Sequence, residues 1–173
     1  MKRLVKKAQS GNKDAFMKLM KEYENDIYRT AYVYTKNEAD ALDIVQETVF
    51  QSYSKVNNLR NPQYFKTWLI KITINSAIDL VRKKKNITHL KPEYTDNLGE
   101  DDGNITLSIT LRGVIENLNE QEKSIVLLKY YYGYTFKEIA DILRVPTSTA
   151  KSVLYRSLQK MREDMKEDDV CER

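Results

Sequence analysis

Several residue types are scarce in this chain of 173 residues, and each scarcity excludes a class of structure. Five glycines and three prolines are few, whereas 31% of the residues are charged, as in helical proteins. The single cysteine, Cys171, excludes an internal disulfide and a cysteine-based zinc site. The single histidine, His89, lies in a basic polar stretch typical of a surface. The glycines are too scattered for a phosphate-binding loop. From these scarcities together we expect no enzymatic activity, no metal, no cofactor and no small-molecule substrate.

Long hydrophobic runs are also missing. No stretch of about 18 apolar residues occurs, so the sequence predicts no membrane-spanning helix. The segment Met1–Lys7 is basic but lacks the apolar stretch of a signal peptide. These two features predict a cytoplasmic protein.

The net charge of +4 conceals an uneven distribution of charged residues. Residues 1–92 contain 18 Lys and Arg against 9 Asp and Glu, a net charge of +9, whereas residues 93–103 contain five acids and no base. Residues 104–165 have a net charge of +2, and residues 166–173 of −2. The basic N-terminal part predicts contact with a polyanion, with an affinity that falls as salt rises.

Helical periodicity covers most of the N-terminal half, over residues 14–34, 38–56 and 64–85. Asn37 is a suitable N-cap for the second helix. We expect that helix to bury one face, formed by Leu42, Val45, Val49, Tyr53 and Val56. The polar, turn-rich stretch Asn57–Gln63 predicts a loop. These elements predict a helical bundle.

The helical pattern stops between Asn86 and Asn104, where Pro92, two glycines and an acidic cluster occur. We therefore expect an all-α fold of two small helical domains joined by a flexible acidic linker. The predicted ranges are 1–86 for the first domain, 87–104 for the linker, 105–166 for the second domain and 167–173 for an acidic tail. Helices are predicted in the second domain over residues 107–117, 120–131, 135–143 and 148–165.

Residues Tyr134–Arg162 form the most informative motif, a predicted helix-turn-helix. Arg144, Val145 and Pro146 break the two helices, and Thr147 or Ser148 can cap the second one. Apolar stripes that can close over a shared core are formed by Ile139, Ala140 and Leu143 on the first helix and by Val153, Leu154 and Leu158 on the second. The residues that face outward are Ser148, Thr149, Lys151, Ser152, Tyr155 and Arg156. Hydroxyls and cations at the start of such a helix suit DNA, although an ordinary solvated helix is the other interpretation.

Two sets of residues resemble a known family. Asp43–Thr48, then Phe65–Leu69, then Ile72, Asn75, Asp79 and Arg82, resemble the second region of extracytoplasmic-function (ECF) sigma factors of the sigma-70 family. Leu118–Glu122, with Tyr134–Ala140 and the helix after it, is similar to the fourth region of that family. The resemblance covers nearly the whole chain in the correct order, which makes it far more specific than a lone helix-turn-helix.

The resemblance implies an initiation subunit of bacterial RNA polymerase that serves a specific, stress-response set of genes. The first domain would bind the clamp of the largest polymerase subunit through Asp43, Gln46 and Glu47. It would open the promoter at the minus-10 element through Asn57, Asn58, Arg60, Asn75, Asp79, Arg82 and Lys83. The second domain would contact the flap of the second-largest subunit and read the minus-35 element through Ser148, Thr149, Lys151, Ser152, Tyr155 and Arg156. The resemblance also implies an anti-sigma factor as partner, which can hold such a protein at the membrane.

Simpler interpretations of individual residues stay open. Asn57 and Asn58 suit an ordinary turn, and Asp79 and Arg82 suit a surface pair on one helix. Trp68 suits the core better than a wedge in opened DNA, because relatives that use such a wedge have two neighbouring tryptophans. The family commonly has glycine and arginine where this chain has Ser148 and Val153.

Two other functions are compatible with parts of the sequence. A stand-alone helix-turn-helix regulator would bind a palindromic site as a dimer without polymerase. A nucleic-acid-processing enzyme would need clustered carboxylates for a metal, whereas Glu100, Asp101 and Asp102 lie in the predicted linker.

Overall fold

A computed structural model describes residues 1–90 and 117–171, and every regular element in these two ranges is helical. The chain divides into two compact units, Met1–Asp101 and Asp102–Arg173. None of the helices in the described ranges is both long and apolar enough to cross a bilayer. The all-α class with two helical units agrees with the sequence prediction, and the predicted linker lies largely outside the described residues.

The N-terminal unit consists of four helices and two short 3-10 turns. In chain order they are α1 (Lys2–Gln9), α2 (Lys13–Thr35), α3 (Glu38–Lys55), the turns Val56–Asn58 and Pro62–Tyr64, and α4 (Phe65–Leu90). The predicted N-cap of α3 is confirmed, because the Asp40 N–H donates to Asn37 Oδ1 at 3.0 Å. The Ala15 N–H donates to Asn12 Oδ1 at 2.8 Å and caps α2 in the same way.

Helix α1 was not predicted from the sequence. Its eight residues include four cations; only Val5 and Ala8 are buried and Leu4 packs beside them at the edge of the core, so the apolar pattern is too short to stand out. Helix α4 runs to Leu90, beyond the predicted end at residue 85. Residues outside a clear apolar pattern can extend a helix that already exists, because each added residue gains one hydrogen bond without a new nucleation step.

The core of the N-terminal unit forms where α2, α3 and α4 pack together and α1 closes one end. The largest fully buried side chains of this unit are Leu19, Ile27, Ile44, Phe65, Leu69, Ile70 and Ile74. Phe65 also contacts Tyr23 and Trp68, with ring centroids 5.8 and 5.7 Å apart. Trp68 is half-buried and packs against this core, as the core interpretation predicted.

The predicted buried face of α3 is partly wrong. The residues that are buried on α3 are Ala41, Ile44, Thr48 and Ser52. Of the predicted face, Val56 is buried as expected and Val45 and Val49 are half-buried at the edge, whereas Leu42 and Tyr53 are exposed. Apolar periodicity identifies large apolar residues only. The face of α3 that packs against the neighbouring helices also includes small and hydroxyl side chains, which that pattern does not reveal.

The C-terminal unit contains three α-helices in its described part, α5 (Glu120–Val126), α6 (Phe136–Leu143) and α7 (Thr147–Cys171). The predicted helix over residues 120–131 changes after Val126 into a π-helical turn, Leu127–Tyr131. Helix α7 begins one residue earlier than predicted and ends at Cys171 rather than at residue 165. The helix predicted over residues 107–117 lies almost entirely outside the described residues.

Glu122 joins two elements of the C-terminal unit. It forms a capping box with Asn119, in which each side chain bonds the other residue's backbone N–H at 3.0 Å. Lys160 Nζ of α7 donates to both carboxylate oxygens at 3.1 Å. This ion pair connects the start of α5 to the middle of α7, and the Glu122 carboxylate that forms it is buried.

The apolar stripes predicted for the helix pair are confirmed in most positions. Ile139, Ala140, Val153 and Leu154 are buried, and Leu143 and Leu158 are half-buried. Ala150 of α7 is also fully buried, which the sequence pattern did not single out. Small side chains such as Ala140 and Ala150 permit close approach of α6 and α7, which the helix pair requires.

Candidate nucleic-acid interface

The loop between α3 and α4 exposes polar side chains on a fixed backbone. Asn57, Asn58 and Arg60 are exposed, whereas the intervening Leu59 packs into the core cluster. The Gln63 N–H donates to Asn61 Oδ1 at 3.0 Å, and this bond shapes the second 3-10 turn of the loop. The predicted loop therefore contains two short helical turns with a buried anchor between them.

Gln9 of α1 holds this loop from outside it. Its Nε2 donates to the carbonyl oxygens of Val56 at 3.1 Å and Leu59 at 2.7 Å, which are the residues on either side of Asn57 and Asn58. Gln9 has no local sequence signature that could have revealed this role, because its partners lie 47 and 50 residues away along the chain. Only the folded structure identifies it as a residue that positions the loop.

Asn75, Asp79 and Arg82 form one exposed row on α4. They follow each other at steps of four and three residues, so they share a face, and all three side chains are exposed. The opposite face of α4 is buried, for example at Ile70 and Ala77. The structure therefore places the predicted α4 residues together on the surface.

A groove of about 340 Å³ between α3 and α4 joins the two predicted sites of this unit. It is lined by Asp43 and Glu47 from the predicted polymerase-binding set and by Asp79 and Lys83 from the predicted minus-10 set. Gln46 is exposed but does not line the groove. Next to Lys83, Lys84 has a different role, since its Nζ contacts Asp40 Oδ2 at 2.7 Å.

The turn between α6 and α7 has clear local causes. Arg144 ends α6 in the left-handed conformation, with φ 56° and ψ 45°, and the Val145 N–H donates to the Ala140 carbonyl at 3.1 Å. Thr135 and Glu138 form a capping box at the start of α6. Hydrogen bonds from the Thr135 side chain and backbone lower the pKa of Glu138, so their stabilising effect is present above the usual Glu pKa and is lost on acidification.

Helix α7 presents the predicted minus-35 residues on its surface. Ser148, Lys151, Ser152, Tyr155 and Arg156 are exposed, and Thr149 is half-buried. Helix α7 begins at Thr147, and its first helical hydrogen bond runs from the Ala150 N–H to the Pro146 carbonyl at 3.0 Å. The capping position is therefore Pro146, and the prediction that Thr147 or Ser148 caps this helix is wrong.

The chain departs from the common family pattern at Val153, which is buried. Val153 therefore packs inside the unit and leaves Lys151 and Arg156 as the cations on this part of the helix surface. Lys151 Nζ lies 5.7 Å from the ring centroid of Phe136, which also has Lys129 Nζ at 5.0 Å. The exposed Lys151 ammonium group therefore lies over the ring of Phe136, at the start of α6.

No group of three or more His, Cys, Asp or Glu side chains in residues 1–90 and 117–171 is placed to hold a metal ion.

Comparison with known families finds two matches in the expected order. The family described as sigma-70 region 2 matches residues 19–87, and the family described as sigma-70, region 4 matches residues 108–161. The RNA polymerase sigma factor SigV of Bacillus subtilis (strain 168) is 35% identical over 149 residues, covering 86% of this chain and 90% of SigV. The ECF RNA polymerase sigma factor SigW of the same strain is 27% identical over 182 residues, covering 96% and 97%.

Solved structures show the same fold. The sigma factor RpoE in complex with the anti-sigma factor NepR from Bartonella quintana gives a TM-score of 0.74 at 18% identity, covering 87% of this chain and 96% of RpoE. CnrH in complex with the cytosolic domain of CnrY gives a TM-score of 0.71 at 19% identity, covering 96% and 97%.

Proposed function

The chain belongs to the ECF group of the sigma-70 family, and from this premise we propose how its two units divide the work of an RNA polymerase sigma factor. The N-terminal unit binds core polymerase and the minus-10 element, and the C-terminal unit binds the minus-35 element. The observation that carries this assignment is that regions 2 and 4 match in one chain, over residues 19–87 and 108–161. The protein acts by binding and has no catalytic centre of its own.

Contact with core polymerase is assigned to the exposed side of α3. Asp43, Gln46 and Glu47 supply acidic and amide groups there, which complement a basic partner surface. Leu42, Phe50 and Tyr53 on the same side are large apolar residues that are also exposed. Exposed apolar residues beside polar ones favour a protein partner for this surface.

Minus-10 recognition is assigned to the loop and to the exposed row of α4. Asn57 and Asn58 can both donate and accept hydrogen bonds, as capture of an unpaired base requires. The other residues assigned to this element are Arg60, Asn75, Asp79, Arg82 and Lys83, and all of them are exposed. The bonds from Gln9 keep the loop in one conformation before DNA binds, which lowers the entropy cost of recognition.

Minus-35 recognition is assigned to the start of α7. Lys151 and Arg156 can bind phosphates or a guanine edge, and the hydroxyls of Ser148, Thr149, Ser152 and Tyr155 can bond phosphate oxygens. Neither contact alone needs to be tight, because docking on one polymerase raises the effective concentration of each unit at its DNA element.

An anti-sigma factor is a further proposed partner. Two of the structurally similar proteins, RpoE with NepR and CnrH with CnrY, were solved as complexes. We assign such a partner to the exposed apolar and acidic surface of α3, where it would compete with polymerase. Polymerase binding implies a cytoplasmic site of action, and a membrane-bound anti-sigma factor would hold the protein at the membrane until a stress signal releases it.

In vitro transcription with purified protein and core polymerase tests the proposal. Discrete start sites are the expected result, whereas transcription without preferred sites, or none, contradicts it. Tight binding of a palindrome without polymerase would instead support the dimeric regulator, which the two-region match does not favour.

A pair of substitutions separates the two roles of the N-terminal unit. Asp43 and Glu47 are unsuitable for this purpose, because they share a groove with Asp79 and Lys83. We expect Gln46→Ala to weaken core binding about 5–30-fold, the effect of losing about 1–2 kcal/mol. Asn57→Ala should leave core binding intact and reduce promoter opening, measured by permanganate reactivity of unpaired thymines. Loss of both activities in both variants would contradict the assignment.

A further inference from the structure

Helix α1 carries a basic face that none of the assigned contacts uses. Lys2, Arg3 and Lys6 are exposed, while Val5 and Ala8 are buried on the other side of the helix. Burial of Val5 and Ala8 fixes the orientation of α1, so the three cations stay on the outside. This face is part of the basic N-terminal half, which carries a net charge of +9 over residues 1–92.

The same three cations line a groove with the loop that follows α3. The groove has a volume of about 460 Å³, and its other lining residues are Asn61, Pro62 and Gln63. Its lining therefore contains three cations, two amides and no carboxylate. Such a lining suits an anionic ligand with several oxygen acceptors.

The stability of α1 alone does not explain these charges. Lys2 and Arg3 lie in the first turn, which contains no acidic residue. Cations are unfavourable there, since the helix dipole is positive at the N-terminal end. Lys6 lies in the last turn, where a cation is favourable, so only the first two positions oppose local stability. A bound anion would offset the unfavourable interaction of Lys2 and Arg3 with the positive end of the helix dipole.

We propose that this groove, named here the α1 groove and lined by Lys2, Arg3, Lys6 and Asn61–Gln63, binds backbone phosphates of the promoter strand whose minus-10 bases are read by Asn57 and Asn58. The inference rests on the proposed function. Asn61–Gln63 is the continuation of the loop that carries Asn57 and Asn58, and Gln9 ties α1 to the backbone of that loop. A strand captured by its bases would therefore lie beside the cations of α1.

The proposed division of labour follows a general rule of DNA recognition. Phosphate contacts set the register and orientation of the strand, and base contacts read its sequence. A positively charged groove beside base-binding residues is also the arrangement that tracks an unpaired strand. The α1 groove therefore adds sequence-independent affinity and holds the opened strand in place for the loop.

Charge neutralisation in the full chain tests the inference. The groove variant combines Lys2→Gln, Arg3→Gln and Lys6→Gln. The control variant combines Lys13→Gln, Lys18→Gln and Lys21→Gln, which removes the same charge from exposed lysines of α2 that do not line the groove. Each variant is assembled with core polymerase and titrated against a promoter fragment mapped with the unsubstituted protein, at several salt concentrations.

The salt dependence gives the expected size of the effect. Log affinity falls with log salt by about 0.7 for each phosphate contact on an unpaired strand, so the slope for the groove variant should be less negative by up to about 2 units. We expect promoter affinity to fall about 10–100-fold for the groove variant at low salt, for the same reason. An equal effect of the groove and control variants would overturn the inference.

Neutral phosphate analogues locate the contact. Single methylphosphonates are placed along the strand that is read at the minus-10 element. A substitution at the contacted phosphate should weaken binding of the unsubstituted protein and have no further effect on the groove variant. Additive losses at every position would contradict the proposal, as would loss of core-polymerase binding by the groove variant.

The outcomes separate this inference from the proposed function. If the unsubstituted protein starts transcription at discrete sites but the groove variant behaves like the control, only the α1 groove is wrong. If the unsubstituted protein with core polymerase starts at no discrete site, the proposed function itself is wrong.

Discussion

Two buried threonines differ in whether the side-chain hydroxyl has a hydrogen-bond partner, and this difference should decide what the hydroxyl contributes to the free energy of unfolding. Thr48 of α3 and Thr73 of α4 are both fully buried. Thr73 Oγ1 donates to the Leu69 carbonyl at 3.1 Å, whereas Thr48 Oγ1 has no hydrogen-bond partner. Thr48→Val should raise the free energy of unfolding by about 1 kcal/mol, because it removes an unsatisfied buried hydroxyl.

Thr73→Val is the matched control for that prediction. It removes a hydroxyl that is satisfied, so the free energy of unfolding should stay unchanged or fall by up to about 1 kcal/mol. Urea denaturation of the two variants measures both values. A decrease in stability for Thr48→Val as large as that for Thr73→Val would show that the hydroxyl of Thr48 is bonded in solution.

Gln9 is a second residue whose effect can be measured. Gln9→Ala removes the donor to the carbonyls of Val56 and Leu59, which frees the backbone around Asn57 and Asn58. We expect promoter opening to fall about 5–30-fold, since one or two kcal/mol of loop ordering is lost. Core binding should stay the same, because Gln9 lies outside the surface of α3.

Ser10→Ala serves as the control for Gln9→Ala. Ser10 is exposed and its hydroxyl bonds only locally, to the Lys7 carbonyl at 2.8 Å. Permanganate reactivity of promoter thymines and a core-binding assay are compared for both variants. Equal promoter opening by Gln9→Ala and Ser10→Ala would remove Gln9 from the positioning role.

At the scale of elements, two helices end on residues in an unfavourable conformation. Lys36 after α2 has φ 52°, and Arg144 after α6 has φ 56°, so both are non-glycine residues in the left-handed region. Lys36→Gly and Arg144→Gly should each raise the free energy of unfolding by about 0.5–1 kcal/mol, because glycine adopts this conformation without a steric cost. Thermal or urea unfolding measures the gain.

Gly133 provides the opposite test of the same argument. Its φ of 70° is positive, although no heavy atom lies within 4 Å of the place where a Cβ would stand. Gly133→Ala should therefore destabilise the protein by about 1 kcal/mol through backbone strain alone, without any clash. A neutral effect would mean that the turn before α6 adapts to a side chain.

The helices themselves were predicted with different success, and the reason is the length of the pattern. Helices α2 and α3 carry long apolar patterns and side-chain N-caps, so their starts were predicted within one residue. Helix α1 has only two buried side chains and escaped prediction. The buried face of α3 was misjudged, because Thr48 and Ser52 can be buried where a neighbouring helix approaches closely.

For the whole molecule, the separation of charge predicts how promoter binding responds to salt. Lys151 and Arg156 are exposed at the start of α7, where we assign contact with duplex DNA. Each phosphate contact to duplex contributes a slope of about −0.9 in log affinity against log salt, so Lys151→Gln with Arg156→Gln should make the slope less negative by up to about 2 units. Titration of promoter DNA with the reconstituted polymerase measures it.

Arg162→Gln combined with Lys137→Gln is a control of equal charge, because both residues are exposed in the C-terminal unit and neither belongs to the minus-35 set. The control should leave the slope nearly unchanged. If both pairs alter the slope equally, the C-terminal unit attracts DNA only through its general charge, and the assigned residues make no specific phosphate contacts.

Composition, long apolar periodicity and ordered motifs are enough to predict the helical class, the two-unit organisation, the helix-turn-helix and the family. It also supplied every candidate residue on α3, α4 and α7, and most of these residues are exposed as expected. Which of them share a surface depends on how the helices pack, for example Asp43 and Glu47 with Asp79 and Lys83 in one groove. The folded structure alone shows that Gln9 bonds the backbone of the loop and that the cations of α1 line a groove with Asn61–Gln63, because these residues lie far apart in the sequence and meet only through the packing of the helices.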